Sequence, residues 1–128
     1  MEKEIIASPN APAAIGPYSQ AVKVSNTLYC SGQIAIDPAT GELANESVET
    51  ETRQVLENLS AVLAEAGFAL ADVVRTTVYM TDMEDYARIN TIYGEYFTDN
   101  PPARAAVQVA NLPKYVRVEI SCIAVKSK

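Results

Sequence analysis

The stretch 116–125 constrains the fold more than any other, because it reads as a strand with apolar residues on both of its faces. Its even positions, Val116, Val118, Ile120, Cys122 and Ala124, are all apolar, while the odd positions mix Arg117, Glu119 and Ser121 with Ile123 and Val125. Successive side chains of a strand point to opposite faces, so a sheet built around this segment needs cover on both sides. Only two segments carry a helical repeat that can supply it. In 48–66, Val48, Val55, Leu56, Leu59, Val62, Leu63 and Ala66 form one apolar stripe. A second helix is expected to run to about Phe97, with Tyr86, Asn90, Tyr93 and Phe97 three and four apart on one face. Helices for one sheet face leave the other to a neighbouring copy, and the sequence therefore predicts a closed homo-oligomer.

Short punctuated segments fill the rest. The interval 9–17 holds three prolines and Gly16, an irregular extended loop that carries Tyr18 at its end. Residues 20–25 and 27–34 read as the two strands of a hairpin, with Asn26 suited to the turn, and 37–41 is a second turn. Glu46, Glu49 and Glu51 favour the positive end of the first helix, and Gly67 is placed to end it. Residues 73–80 are dense in β-branched and aromatic types and should form a strand. Thr81 and Glu84 have capping-box spacing, and Asp82, Glu84 and Asp85 suit a helix start. After the break at Asn100, Pro101 and Pro102, strands are expected at 103–109 and 116–125, joined by a turn near Pro113. The order is three strand-like segments, a helix, a strand, a helix and two strands. That order predicts an α/β (α+β) sandwich, a mixed β-sheet with two helices packed on one face.

At 128 residues the chain fits a single domain, 1–128. Its net charge of −6 repels phosphate backbones and anionic head groups, and the only basic cluster is the pair Lys126 and Lys128, so no nucleic acid and no membrane partner is expected. No apolar run approaches the ~18 residues that span a bilayer, and the start MEKEII is charged where a signal peptide is apolar. Cys30 and Cys122 sit in strand-like apolar runs without metal spacing and read as reduced core residues; a cytoplasmic location is expected. The chain has no histidine, which removes the commonest general base, the commonest metal ligand and any Ser/His or Cys/His pair. There is also no phosphate loop, CxxC, HExxH or dinucleotide fingerprint, so neither a metal nor another cofactor is expected. Chemistry is left to carboxylate, guanidinium, phenol, hydroxyl and backbone groups.

Arg104 opens a short strand after Pro101 and Pro102 and is followed by small and apolar residues. A guanidinium in that setting can fork onto a carboxylate with two charge-assisted bonds, and equally it can be a surface arginine whose stem covers apolar groups. Glu119 lies mid-strand on the face of Arg117 and Ser121. On an open face it is a solvated carboxylate; under a second copy it becomes a partly buried one able to activate water. The run Cys30, Ser31, Gly32, Gln33 ends a strand with a hydroxyl and a glycine, which lets a ligand approach backbone or simply bends the strand. Asn90, on the aromatic helix face, needs a partner in the core or in a ligand.

Three strings extend this reading: IGPYSQA at 15–21, YCSGQIAIDPATGEL at 29–43 and PPARAAVQVANLPKYVRVEISCIAV at 101–125. Together, over nearly the whole chain, they resemble the YjgF/RidA family of imine deaminases. The resemblance implies a chorismate-mutase-like fold and a homotrimer with the second sheet face toward its interior and ligand clefts between adjacent subunits. It gives Arg104 the substrate carboxylate, puts Glu119 near the attacking water, and places Tyr18, Ser31, Gly32 and Asn90 along the same cleft. Ala106 stands where many deaminases of the family carry cysteine, and its backbone is expected to serve, since a thiol without a base is a poor catalyst here. The implied reaction is hydrolysis of a 2-imino acid, such as iminopropanoate or iminobutanoate, to a 2-keto acid and ammonia. Two other classes fit the same residues: a non-catalytic trimer that senses a small carboxylate or keto acid, and RNA cleavage or translation inhibition, which the acidity and missing histidine disfavour.

Overall fold

A computed structural model describes residues 2–127; Met1, which opens the MEKEII start, and Lys128 of the basic pair lie outside the described residues. Six strands, β1 (Glu4–Ile6), β2 (Ala21–Val24), β3 (Thr27–Gln33), β4 (Val73–Met80), β5 (Ala103–Gln108) and β6 (Val118–Val125), form one sheet in the order β1-β2-β3-β6-β4-β5. Its neighbours are antiparallel except β4 and β5, which are parallel, so the sheet is mixed as expected. Helices α1 (Val48–Glu65) and α2 (Tyr86–Tyr96) occupy one face, and no helix among the described residues is long and apolar enough to cross a membrane.

Helix α1 starts where Ser47 accepts a hydrogen bond from the Thr50 N–H at 3.0 Å and ends at Gly67, whose φ of +82° favours a residue without Cβ. Its stripe is buried except for the partly buried Ala66: Leu56, Leu59 and Leu63 share one core with Leu28, Val118, Ile120 and Ala124 of the sheet. Truncating any of those leucines to alanine would cost about 2–5 kcal/mol. The even positions of β6 from 118 to 124 are buried under the helices. On the opposite face, Ile5, Val22, Tyr29 and Ile123 are cross-strand partners in a row over four strands, and Ile5 and Tyr29 remain about half exposed (54% and 50%). The partly apolar second face of β6 thus continues into a broader one that no element among the described residues covers.

Two local expectations are corrected. Thr81 and Glu84 make no capping box: the Thr81 N–H continues the sheet by donating to the Arg117 carbonyl, and Asp82 accepts from the Glu84 N–H at 2.9 Å to start the short 3₁₀ turn Met83–Asp85 ahead of α2. The β2–β3 turn falls at Ser25 and Asn26 as expected, with Ser25 in the left-handed region at φ 54°. Strand β6 begins at Val118; Val116 is buried but caps the turn Pro113–Tyr115, and Arg117 swings back to α1.

Candidate active site

Arg104 stands on the edge strand β5, in register with Thr76, and both side chains face α2. Its Nη1 donates to Asn90 Oδ1 at 2.7 Å and its Nη2 to the Tyr86 hydroxyl at 2.8 Å. The guanidinium lies 4.8 Å from the Tyr93 ring centroid and 5.6 Å from that of Tyr86, within cation–π range. Tyr93 is itself fixed by a 2.7 Å hydrogen bond between its hydroxyl and Thr76 Oγ1 and by stacking on Phe97, with centroids 4.7 Å apart. Burial pushes the Tyr93 phenol up, while Thr76 and the Arg104 charge pull it back, so it stays a neutral hydrogen-bonding group. The neighbours of Arg104 are therefore aromatic and polar side chains of α2. The guanidinium is held in place by α2 with donors to spare for a carboxylate. Ala106, two residues on, shares this face and packs against the core.

Glu119 belongs to the other face. It alternates with buried Val118 and Ile120 and is in register with Tyr79. Among the described residues its carboxylate has no ion pair, and burial raises its pKa above the ordinary carboxylate range. The side chain lies across Gly32: a Cβ there would fall 2.7 Å from Glu119 Cδ, so glycine is what allows the carboxylate to rest on the β3 backbone. The register slips between Cys30 and Gln33 at this point. Ser31 is anchored to the preceding loop, its Oγ donating to the Ser19 carbonyl at 2.6 Å and its N–H to the Gln20 carbonyl at 2.9 Å. Tyr18 projects from that loop and, with Gly32, lines a cavity of about 260 Å³.

The expected residues thus form two groups: Arg104, Asn90 and Ala106 on the α2 side of β5, and Glu119, Gly32, Ser31 and Tyr18 on the opposite side of the sheet around β3. Within one chain the two groups do not meet. Sequence reasoning missed Tyr86 and Tyr93 as partners of Arg104, although their three-and-four spacing with Asn90 was the signal. It also took Glu51 for a helix-start acid. Glu51 is fully buried and clamps the start of β6: Oε2 accepts from the Arg117 and Val118 N–H groups at 2.6 and 3.1 Å, and Oε1 from Arg117 Nε at 2.8 Å. Its place three residues after Val48 and four before Val55, inside the buried stripe, was the clue. Cys30 and Cys122 are free, buried and directly opposed across β3 and β6, and the Cys30 hydrogen bond together with burial drives the Cys122 thiol up, which makes it inert. The described residues hold no cluster of His, Cys, Asp and Glu fit for a metal ion.

A family model described as Endoribonuclease L-PSP matches residues 8–126. A RutC family protein of Pyrococcus horikoshii is 53% identical over 124 residues, 97% of this chain and 98% of that protein. The mouse protein named 2-iminobutanoate/2-iminopropanoate deaminase is 50% identical over 124 residues, 97% of this chain and 92% of its own. The crystal structure of an endoribonuclease candidate from Thermotoga maritima, 51% identical, aligns over 100% of both chains with a TM-score of 0.97. With sequence and fold agreeing over nearly its full length, this chain belongs to the YjgF/RidA family.

Proposed function

We propose that the protein hydrolyses 2-imino acids such as iminopropanoate and iminobutanoate to 2-keto acids and ammonia, without metal or cofactor, in sites completed between the subunits of a homotrimer with the chorismate-mutase-like arrangement. The observation that carries this reading is the split of the candidate site. A prepositioned guanidinium with unused donors sits on one face of the sheet, and a half-buried carboxylate with no partner among the described residues sits on the other. Each lacks what the other supplies, and the apolar row Ile5, Val22, Tyr29 and Ile123, on the same sheet face as Glu119, is where a second copy would pack. Arg104 of one copy then takes the substrate carboxylate, while Glu119 of the next faces the imine carbon.

The chemistry asks little more. Water adds its oxygen to the iminium carbon as Glu119 takes one water proton and passes it to the nitrogen; the C–N bond then breaks, the departing ammonia takes up the hydroxyl proton as ammonium, and the 2-keto acid remains with Glu119 again ionised. Backbone groups at Gly32 and Ala106 hold the imine. A carboxylate whose charged form is disfavoured by burial is a stronger base than a solvated one, and positioning supplies the remainder for a bond that water already attacks. The cytoplasm suits the directly opposed and unbridged Cys30 and Cys122. The description of the family model brings RNA cleavage into view as a second reading, but the charge of −6 and the lack of histidine oppose it.

Freshly generated iminobutanoate should yield 2-ketobutyrate faster in the presence of the protein, and Arg104→Ala should lower kcat/KM about 100-fold or more. Saturable keto-acid binding without turnover would replace the enzyme with a sensor. RNA cleavage with a steep salt dependence would replace it with a nuclease.

A further inference from the structure

Three buried side-chain amides bear on the cavity lined by Gly32 and Tyr18: Gln20 and Gln33 line it, Asn58 holds two of its lining residues, and all but Gln33 are spent on building it. Gln20 fixes the proline-rich loop: its Oε1 accepts from the Ser8 N–H at 2.6 Å, and its Nε2 donates to the Pro12 carbonyl at 2.7 Å. Asn58 of α1 fixes the chain leaving β3, its Nδ2 donating to the carbonyls of Ile34 at 3.0 Å and Ile36 at 2.9 Å. The third, Gln33, is 6% exposed and lines the cavity, yet its amide makes no hydrogen bond within the described residues. No fully enclosed side-chain nitrogen or oxygen among the described residues lacks a partner, so the Gln33 amide keeps some exposure, and Gln33 is one of the residues that line this cavity. A nearly buried amide left unpaired is the arrangement expected of a group waiting for a ligand.

Lys114 lines the same cavity from the turn Pro113–Tyr115 and has no carboxylate partner among the described residues. Its φ of 56° and that of Tyr115, 55°, place two successive non-glycine residues in the left-handed region. Such outliers persist where the surrounding structure over-determines them, and here they hold the lysine at the cavity. The remaining wall is apolar, with Pro12, Ile15 and Ile36. At about 260 Å³ the space equals on the order of eight or nine water volumes, room for a short methylene chain with a polar end. Gly32 borders both the cavity and the Glu119 carboxylate.

We infer that this cavity is a side-chain subsite in which the Lys114 ammonium and the Gln33 amide bind a carboxylate, so that the preferred substrates are 2-imino acids with an acidic side chain. The inference rests on the imine-hydrolysis reading for its substrate. Its charge preference, however, is measurable without turnover. Calorimetric titration should show 2-oxoglutarate binding about fivefold or more tightly than 2-oxobutyrate, as expected of one accessible ion pair strengthened by an amide donor. Lys114→Met should erase the difference and Lys114→Glu reverse it; Lys114 is exposed, so both variants should fold. In turnover, Lys114→Met should lower kcat/KM for the imine of 2-oxoglutarate by the same factor and leave iminobutanoate within twofold. Equal binding of the two keto acids, or a preference that survives Lys114→Glu, overturns the subsite. Lys114-dependent binding without any imine turnover would refute hydrolysis and keep the subsite, whereas turnover indifferent to side-chain charge would do the reverse.

Discussion

Under the helices, Glu51 is fully buried, yet it receives two backbone N–H groups and the Arg117 guanidinium, and Thr76 and Tyr93 satisfy each other at 2.7 Å. Across the sheet, Glu119 is half-buried with no ion pair among the described residues, on the same face as an apolar row that no described element covers. Both carboxylates come out of water, but only the first is repaid inside its own chain. A buried charge with complete partners belongs to the architecture; one without them marks a place where something else must bind. The two faces of one sheet therefore separate stability from chemistry, and substitutions on each should fail in different assays.

The largest effect is expected at Glu51. Glu51→Ala strips the Arg117 and Val118 N–H groups of their acceptor and removes the ion pair of a partly exposed guanidinium that keeps the Asn45 carbonyl, which should cost about 2–4 kcal/mol, most of it from the two orphaned donors. Urea unfolding measures this. A loss below about 1 kcal/mol would mean that the clamp matters little and that the contrast between the faces fails.

On the open face the prediction runs the other way. Tyr29→Asp puts a charge into the apolar row without touching Arg104 or Glu119. It should leave the folded chain intact by circular dichroism, turn an oligomer into monomers in light scattering, and reduce imine turnover about 100-fold, because each site loses its second half. A monomeric variant that keeps full activity would show that the two half-sites do not need one another.

The same division decides what was legible in the sequence. The α1 stripe, the Gly67 stop, β4 and the aromatic face of α2 follow from local periodicity and appear where expected. The unpartnered second face was readable from Ile123 and Val125, because alternation is a property of the strand alone. The clamp was not, because Glu51 at a helix start looks like any dipole-complementing acid until β6 is seen to end against it. Nor was the placement of Arg104 and Glu119 on opposite faces. Parity within one strand says nothing about a strand whose neighbour, β4, is joined to β5 in parallel through α2. The roles of Gly32 and Glu119 came from the resemblance, while the reason for the glycine came from geometry.

That geometry gives a smaller and more specific prediction. Gly32→Ala forces its Cβ against the Glu119 carboxyl, the movable end of a flexible side chain. The stability cost should stay near 1 kcal/mol, at the low end for overpacking. Turnover should fall about tenfold or more, since the carboxylate must leave its place. Equal loss in both assays would indicate a backbone role for the glycine instead.

The smallest effects are those of pH, and they should differ in sign between the faces. Glu49 joins α1 to α2 through Arg88, with bonds of 2.7 and 2.8 Å, and that partner lowers its pKa to about 2. A carboxyl whose folded pKa lies below its unfolded value adds stability that is present above the ordinary 4.5 and lost as pH falls through about 2. Both side chains are exposed, so Arg88→Ala should move the midpoint of thermal unfolding at pH 7 by less than about 2 °C, and by nothing measurable near pH 2. Glu119 behaves oppositely. Its folded pKa is raised, so its penalty is absent at acid pH and grows as pH rises past 4.5 and through the raised value. Glu119→Gln should therefore raise the melting midpoint at pH 7 and leave it unchanged at acid pH while removing turnover. If instead the variant melts lower at pH 7, Glu119 has a partner on its own chain, and its place at an open half-site would be lost.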